Sequence, residues 1–482
     1  MRNSLIGSAS QNLCRGSERL AASVASAGHA LWILALVGMW SLPCPGVGAE
    51  GRQVQKLPSP TSGVDDAADR AVMEEARRSI EKHRKGDFDV QLVDKNGKPL
   101  QGKVSLELVR HEFRFGALMN SVLNRKGPEG TRGEEVVEEL FNHVVVPRHW
   151  WQAQSDRQQG EGHRPMDLDE PLKVHRWALA RGMSMRYHAL FYAPPRWAAE
   201  VETEDQWWRY FETYVRGVAE RFGDTVFEYD AINEPFSFKP YMMKVHGARS
   251  CLPDLADPAV GERALRIARE HLPRAKLVML NYWEIGDPRN LGFRRTFDYY
   301  QKIIERGAPV DLVGFQAHFY GQKVAMKDIS AGLDHFATLG KPMVVTEFNG
   351  PSRLQGAEHV GEPWDPQTHA AWVENFYTLV FSKPYMEGLT RWFIYPTMGG
   401  RALDSGLLNK DGTVRPEYES LRRLLKETWT TRHAAEPDAE GKVRFRGFFG
   451  AYRVGCDGRE VATLQLLKRE KGATVRLVVD AE

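Results

Sequence analysis

Between Phe113 and about Leu425, short β-rich runs alternate with longer amphipathic stretches, and few folds accept that rhythm. The strand-like runs are Phe113–Leu118, His143–Val146, Met185–Leu190, Phe227–Ile232, Lys276–Leu280, Leu312–Gln316, Met343–Thr346 and Leu389–Ile394. Helical spacing of apolar residues marks Leu172–Arg181, Gln206–Arg221, Gly261–His271, Phe297–Arg306, Ile329–Leu339 and His369–Ser382 between them. Strands that alternate with helices are joined by crossovers and so run parallel. Eight such units, over a span somewhat longer than the roughly 250 residues usual for the closed form, predict an α/β fold: a (β/α)₈ TIM barrel with small flanking β-elements. The rival is a doubly wound open sheet, but no glycine-rich phosphate loop opens the first unit.

The flanks read differently. Arg2, Arg15 and Arg19 precede an apolar run from Ala30 to Leu42 that ends in Val47-Gly48-Ala49, the pattern of a secretory leader over 1–49. That run is shorter than the roughly 20 residues a membrane-spanning helix needs. The expected location is outside the cytoplasm, extracellular or periplasmic, with no membrane attachment once the leader is cleaved. Residues 50–66 have linker composition. In 67–110, Val72, Ala76 and Ile80 keep helical spacing, and two alternating runs, Phe88–Leu92 and Val104–Leu108, flank a turn at Asn96-Gly97 and suggest a β-hairpin. The barrel is assigned to 111–428 and a small β-element, able to combine with the hairpin, to 429–482. Cys14 and Cys44 fall in the leader, so any disulfide is between Cys251 and Cys456, which read equally well as separate thiols. The formal net charge of +2 gives no electrostatic signature for nucleic acid or membrane binding.

In such a barrel the active side chains follow the strands at their C-terminal ends. The fourth predicted strand runs into Asn233-Glu234-Pro235 and the seventh into Glu347-Phe348-Asn349. The sixth ends in Gln316-Ala317-His318, the third carries Tyr187-His188, and the eighth contains Trp392. Two carboxylates thus face one mouth. Alone, Asn-Glu-Pro is a surface or helix-start motif; its position opposite Thr346-Glu347 turns the reading towards catalysis. A protonated carboxyl beside an ionised one suits glycosidic cleavage, with a gap of about 5–5.5 Å for retention of configuration and about 6.5–9.5 Å for inversion. His318 and Trp392 read alternatively as core residues, and Trp207 and Trp208 as packing. His149 and His188 lack partners at zinc spacing, so neither a metal nor any other cofactor is expected.

The ordered stretches Phe113-Arg114-Phe115-Gly116-Ala117 with Asn120, Phe141-Asn142 leading to Pro147, Tyr229 to Glu234, Leu280-Asn281-Tyr282, Val313 to His318 and Val345-Thr346-Glu347 resemble glycoside hydrolase family 10. This is the xylanase family, and Val90–Arg110 with Phe236-Ser237-Phe238 is most similar to its plant-like branch. The resemblance implies Glu234 as general acid/base, Glu347 as nucleophile, and Asn233 as partner of the 2-hydroxyl of the cleaved sugar. It places Gln316 and His318 around the nucleophile, keeps His188, and makes Trp392 part of a sugar platform. After the second strand the family's Glu-Asn-x-Met-Lys-Trp is replaced by Arg148-His149-Trp150-Trp151-Gln152, and after the third its Trp-His pair by Tyr192-Ala193. His149 is retained as a substrate-binding candidate, and Arg148 either reaches an acidic sugar substituent or makes a structural salt bridge. The implied protein is a monomer acting on xylan or a related β-1,4-linked plant polysaccharide. The alternatives are a non-catalytic carbohydrate-binding barrel and a hydrolase of another β-glycan.

Overall fold

The computed structural model describes residues 67–154, 166–195, 197–198, 201–237, 252–279, 291–319, 324–350, 352–355, 360–396 and 405–479. The leader and linker expected over 1–66 lie outside the described residues, as do Phe238, Cys251 and Leu280-Asn281-Tyr282.

Two strands precede the barrel, β1 (Lys85–Val93) and β2 (Val104–His111). Seven barrel strands follow: β3 (Arg114–Leu118), β4 (His143–Pro147), β5 (Ser184–His188), β6 (Glu228–Ile232), β7 (Lys276–Met279), β8 (Leu312–Phe315) and β9 (Met343–Phe348). After a short hairpin, β10 (Arg353–Gln355) with β11 (Val360–Pro363), β12 (Met386–Arg391) closes the ring in the order β12-β3-β4-β5-β6-β7-β8-β9. All neighbours in it are parallel. The chain is therefore a (β/α)₈ barrel with additional sheets. Runs such as Val144-Val145-Val146 and Met343-Val344-Val345 are buried along their whole length, because a parallel barrel strand meets side chains within and helices without.

The helices used below are α1 (Ala67–His83), α2 (Glu204–Phe222), α3 (Pro258–His271), α4 (Met326–Ala337), α5 (Pro366–Ser382) and α6 (Pro416–Arg423). Several start about three residues earlier than the apolar spacing predicts. Spacing marks the buried stripe, whereas the start is set by the cap: Thr203 accepts from Gln206 N–H, Asp257 from Ala259 and Asp365 from Thr368, with Pro258 and Pro366 leading two of them. Trp207, Trp208, Phe211, Tyr214, Val215, Val218 and Phe222 form the buried stripe of α2, so the tryptophan pair is core.

Two expectations are corrected. The eighth strand is Met386–Arg391 rather than Leu389–Ile394, and Trp392 lies just beyond it. Its register is fixed by Gly388↔Arg114 on one side and Gly388↔Val344 on the other. A Cβ on Gly388 would meet the Arg114 carbonyl at 3.0 Å, so the absence of a side chain there is what lets the strands approach. The early hairpin does not form. Its turn exists, with Asp94 Oδ1 accepting from Asn96 and Lys98 N–H, yet β1 and β2 enter different sheets. With β13 (Arg432–Ala435), β14 (Lys442–Phe448), β15 (Gly450–Cys456), β16 (Arg459–Leu466) and β17 (Thr474–Val478), the sheets are β14-β1-β17 and β13-β2-β15-β16. Each early strand thereby gains two partners and covers its apolar side, Phe88, Val90 and Leu92 in β1 and Val104 and Leu106 in β2, which a lone hairpin leaves wet.

These sheets sit under the N-terminal end of the barrel. Arg114 bridges Glu228 at 2.7 Å and Glu387 at 3.2 Å, and Lys276 reaches Glu387 at 2.5 Å. A cavity of about 570 Å³ separates this charged layer from the flanking elements, lined among others by Arg84, Arg110, Phe113 and Phe449. Helix α1 is fastened across the barrel wall. Buried Asp69 accepts from the backbone N–H of Met326 and Lys327 at 3.1 and 2.9 Å, capping α4, whose own Ncap residue Ala325 offers no side-chain oxygen. Arg84, just past α1, donates to the carbonyls of Phe381 and Lys383 at the end of α5 and of Met386 at the start of β12. The substitution Asp69→Ala is expected to cost about 1–2 kcal/mol and lower Tm by roughly 2–4 °C. Thermal unfolding checks this, and an unchanged Tm would show that the cap carries no stability.

Candidate active site

At the opposite, C-terminal end, β6 delivers Asn233 and Glu234, β8 delivers Gln316 and His318, β9 delivers Glu347, and β5 delivers His188. Glu234 sits in left-handed backbone (φ +48°), as does Ala317 (φ +60°) between Gln316 and His318. Such non-glycine positions cost on the order of 1–3 kcal/mol and persist only where the surroundings fix them, commonly at functional sites.

Their contacts form one connected cluster. Gln316 Nε2 donates to Glu234 Oε1 at 3.0 Å and to Asn233 Oδ1 at 3.2 Å. His318 Nε2 lies 3.3 Å from Glu347 Oε2, and His188 Nδ1 lies 3.8 Å from Glu347 Oε1. The His188 ring meets Trp392 edge-on at 5.4 Å and His149 at 5.3 Å, and His149 meets Tyr192 at 5.0 Å. Tyr192 closes the circuit by donating from its hydroxyl to Glu234 Oε2 at 3.3 Å. All eight residues proposed from sequence thus belong to one contact network. Trp150, in the replaced second-strand motif, is fully buried and stacked on Tyr214. Arg148 is buried in salt bridges with Asp167 and Glu170, which decides between its two readings in favour of the structural one. Gln152 accepts the His149 backbone N–H at 2.9 Å, so both replacements in the second-strand motif have internal work.

Three residues escaped the sequence reading. Asp230 accepts from His188 Nδ1 at 2.6 Å and lies 3.5 Å from Arg186 Nε, all three buried; Arg186 also donates to the Thr346 carbonyl, next to Glu347. The third is Tyr192. The available signal was a charged residue inside each of two strands, Arg186 in Ser-Met-Arg-Tyr-His and Asp230 in Glu-Tyr-Asp-Ala-Ile, since buried charges require partners.

The proton affinities of the two carboxyls are shifted in opposite directions. Burial, followed by the charge of Glu347, raises the Glu234 carboxyl above its ordinary value of 4.5 against the opposing bond from Gln316. Burial also works to raise Glu347, but the charge of His188 and the His318 bond outweigh it, and its carboxyl lies below 4.5. Burial disfavours the charged form of His188; Glu347 and Asp230 more than offset it and raise the imidazole above 6.5. His149 falls well below 6.5 through burial and the neighbouring His188. Two carboxyls at a common mouth whose proton affinities are pushed apart suit proton transfer combined with nucleophilic attack. Among the described residues no group of three or more His, Cys, Asp or Glu side chains is placed to hold a metal ion.

Fold and site together define a (β/α)₈ barrel with paired carboxylates at the C-terminal ends of its fourth and seventh strands. The profile of Glycosyl hydrolase family 10 matches residues 106–396, well over half of the chain, and the chain belongs to that family. It is 24% identical over 391 residues to the Anti-sigma-I factor RsgI6 of Acetivibrio thermocellus, covering 79% of this chain and 46% of that protein. It is 22% identical over 192 residues to Endo-1,4-beta-xylanase A of Caldicellulosiruptor saccharolyticus, covering 38% and 54%. The chain spans about half the length of these two relatives. The GH10 structure from Paenibacillus barcinonensis superposes with a TM-score of 0.55 at 21% identity, covering 66% of this chain and 96% of that one, which shows the shared fold.

Removing Asp230 leaves Arg186 and His188 buried without the carboxylate between them, and His188 with Glu347 alone. Asp230→Ala is therefore expected to destabilise by about 3–5 kcal/mol in urea unfolding, and a loss under about 1 kcal/mol would show that the charges are not coupled.

Proposed function

We propose that this protein is a secreted, retaining glycoside hydrolase that cleaves β-1,4-linked xylan or a related plant polysaccharide by double displacement. The observation that carries the reading is the pair of buried carboxyls at one mouth, Glu234 held by Gln316 and Glu347 by His318 and His188, with their proton affinities pushed apart. In the first step Glu347 attacks the anomeric carbon as the glycosidic C–O bond breaks. The bond's electron pair leaves with the oxygen, which takes the proton of Glu234. In the second step Glu234, now a carboxylate, removes a proton from water, the water oxygen bonds to the anomeric carbon, and Glu347 departs. His188 and His318 keep Glu347 ionised for both steps. Asn233, buried and held by Gln316, is positioned for the 2-hydroxyl of the sugar, and Trp392 offers an aromatic face to the pyranose ring. Family membership supports retention, the xylanase names among the relatives support the substrate class, and the leader-like sequence of residues 1–49 supports export. The proposed working form is a monomer that needs no cofactor.

A second reading, a barrel that binds glycan without turning it over, is favoured by the internal engagement of Arg148 and Gln152 and by a relative named as an anti-sigma factor. Incubation with a panel of β-glycans and product analysis separates the two: xylo-oligosaccharide release supports the first, retention of intact polymer the second.

Glu347→Ala is expected to reduce turnover of an aryl β-xyloside by on the order of 10⁴-fold or more, with azide restoring it as the inverted glycosyl azide. Near-normal activity would remove Glu347 from the mechanism. The sign of the pH dependence follows from the two shifts. Activity requires Glu347 ionised and Glu234 protonated, so kcat/KM is expected to rise along an acid limb below pH 4.5 and fall along a limb above it. The two limbs belong to the pair, because each carboxyl senses the other's charge. A profile that climbs steadily through neutral pH would contradict these assignments.

A further inference from the structure

We infer that Tyr192 is a positioning residue for proton donation: its hydroxyl and the Gln316 amide grip the two oxygens of Glu234 and assign the transferable proton to Oε2. The inference rests on the reading of Glu234 as acid/base.

Gln316 Nε2 carries two hydrogens and, its lone pair being delocalised into the amide, accepts none; both hydrogens are directed, one to Asn233 Oδ1 at 3.2 Å and one to Glu234 Oε1 at 3.0 Å. Oε1 is therefore an acceptor, and its carbonyl form is favoured. Oε2 faces the Tyr192 hydroxyl at 3.3 Å, a group that both donates and accepts. With Glu234 protonated, Oε2–H donates to the phenolic oxygen; with Glu234 ionised, the phenol donates to Oε2. Rotation of one O–H bond serves both states, so the carboxyl is never left unpartnered on that side during a cycle. At 3.3 Å the bond is long and is readily exchanged for one to a glycosidic oxygen.

The hydroxyl is held there by its surroundings. Tyr192 is buried to 5% exposure, the His149 ring stands against it edge-on at 81°, and Trp151 packs on the same small cluster. The following residue, Ala193, has left-handed backbone (φ +43°), and its carbonyl accepts from Trp151 N–H at 3.1 Å. Other titratable groups acting on Glu234 are Glu347 and His318 from β9 and β8 and His188 from β5; His318 and His188 both lie against Glu347.

Tyr192→Phe tests this by removing one oxygen from a ring that otherwise keeps its packing. A hydrogen bond to a carboxylate is roughly twice as strong as one to its neutral form, so losing it disfavours ionisation and raises the Glu234 pKa by about half a unit or more. Carbon-13 NMR titration of labelled glutamate carboxyls, with Glu234 assigned through Glu234→Gln, reads that pKa without any turnover. His149→Ala, which withdraws the ring bracing Tyr192, is expected to shift it the same way by less. In kinetics, Tyr192→Phe is expected to lower kcat about tenfold for an aryl glycoside whose leaving group needs protonation, and to spare one with an activated leaving group. A Glu234 pKa that stays within about 0.2 unit in both variants overturns the inference. A shifted pKa in a protein that cleaves no glycoside leaves it standing and removes the hydrolase reading instead.

Discussion

A carboxylate that must stay ionised in a site with little water needs positive charge close by, and that charge must itself be stabilised. Here the demand is met by a buried chain running through the barrel's interior: Arg186 to Asp230, Asp230 to His188, and His188 to Glu347. Each member compensates its neighbour. Without the two carboxylates the burial of His188 would favour neutral imidazole, and without His188 the burial of Glu347 works towards its protonated form. The strands β5, β6 and β9 carry these groups, so electrostatics and barrel geometry constrain one another. A shift of any of these strands would part charges that cannot be re-solvated where they lie.

Around this chain the backbone accepts local cost. Glu234, Ala317 and Ala193 all occupy left-handed conformations, and all three lie where strand ends turn into the mouth. A regular exit from β6 or β8 would send Glu234 or His318 along a different direction. The strain is over-determined by hydrogen bonds on either side, including Asn349 N–H to the Ala317 carbonyl and Asn233 N–H to the Phe191 carbonyl. Far from the mouth, the opposite end is braced by strands from both chain flanks, with β1 and β2 each embedded between later strands. Their pairing, the Asp69 cap and the Arg84 bonds fix the barrel's closing helices from outside.

Much of the fold was legible because burial leaves a period in the sequence. Parallel barrel strands are apolar throughout, amphipathic helices repeat near 3.6 residues, and their alternation admits few closures. Glu234, Glu347, Gln316 and His318 were legible for a related reason, since polar residues directly after apolar runs fall at strand ends. Arg186 and Asp230 were not, because a charge within a strand reads as an interruption until its partner is known. Tyr192 was visible only as a replaced aromatic, with nothing to indicate that its hydroxyl reaches an oxygen 42 positions later.

The sequence by itself determined the alternation of strands and helices, the position of two carboxyls at one end of the barrel, and the family to which the chain belongs. Tertiary structure alone decided that the early strands part company, that Arg148 turns inward to Asp167 and Glu170, and that the two carboxyls differ in proton affinity. The physical reason is range. Periodicity and capping act within a few residues and are written locally, whereas strand partners, desolvation and charge pairing depend on groups brought together across the whole chain.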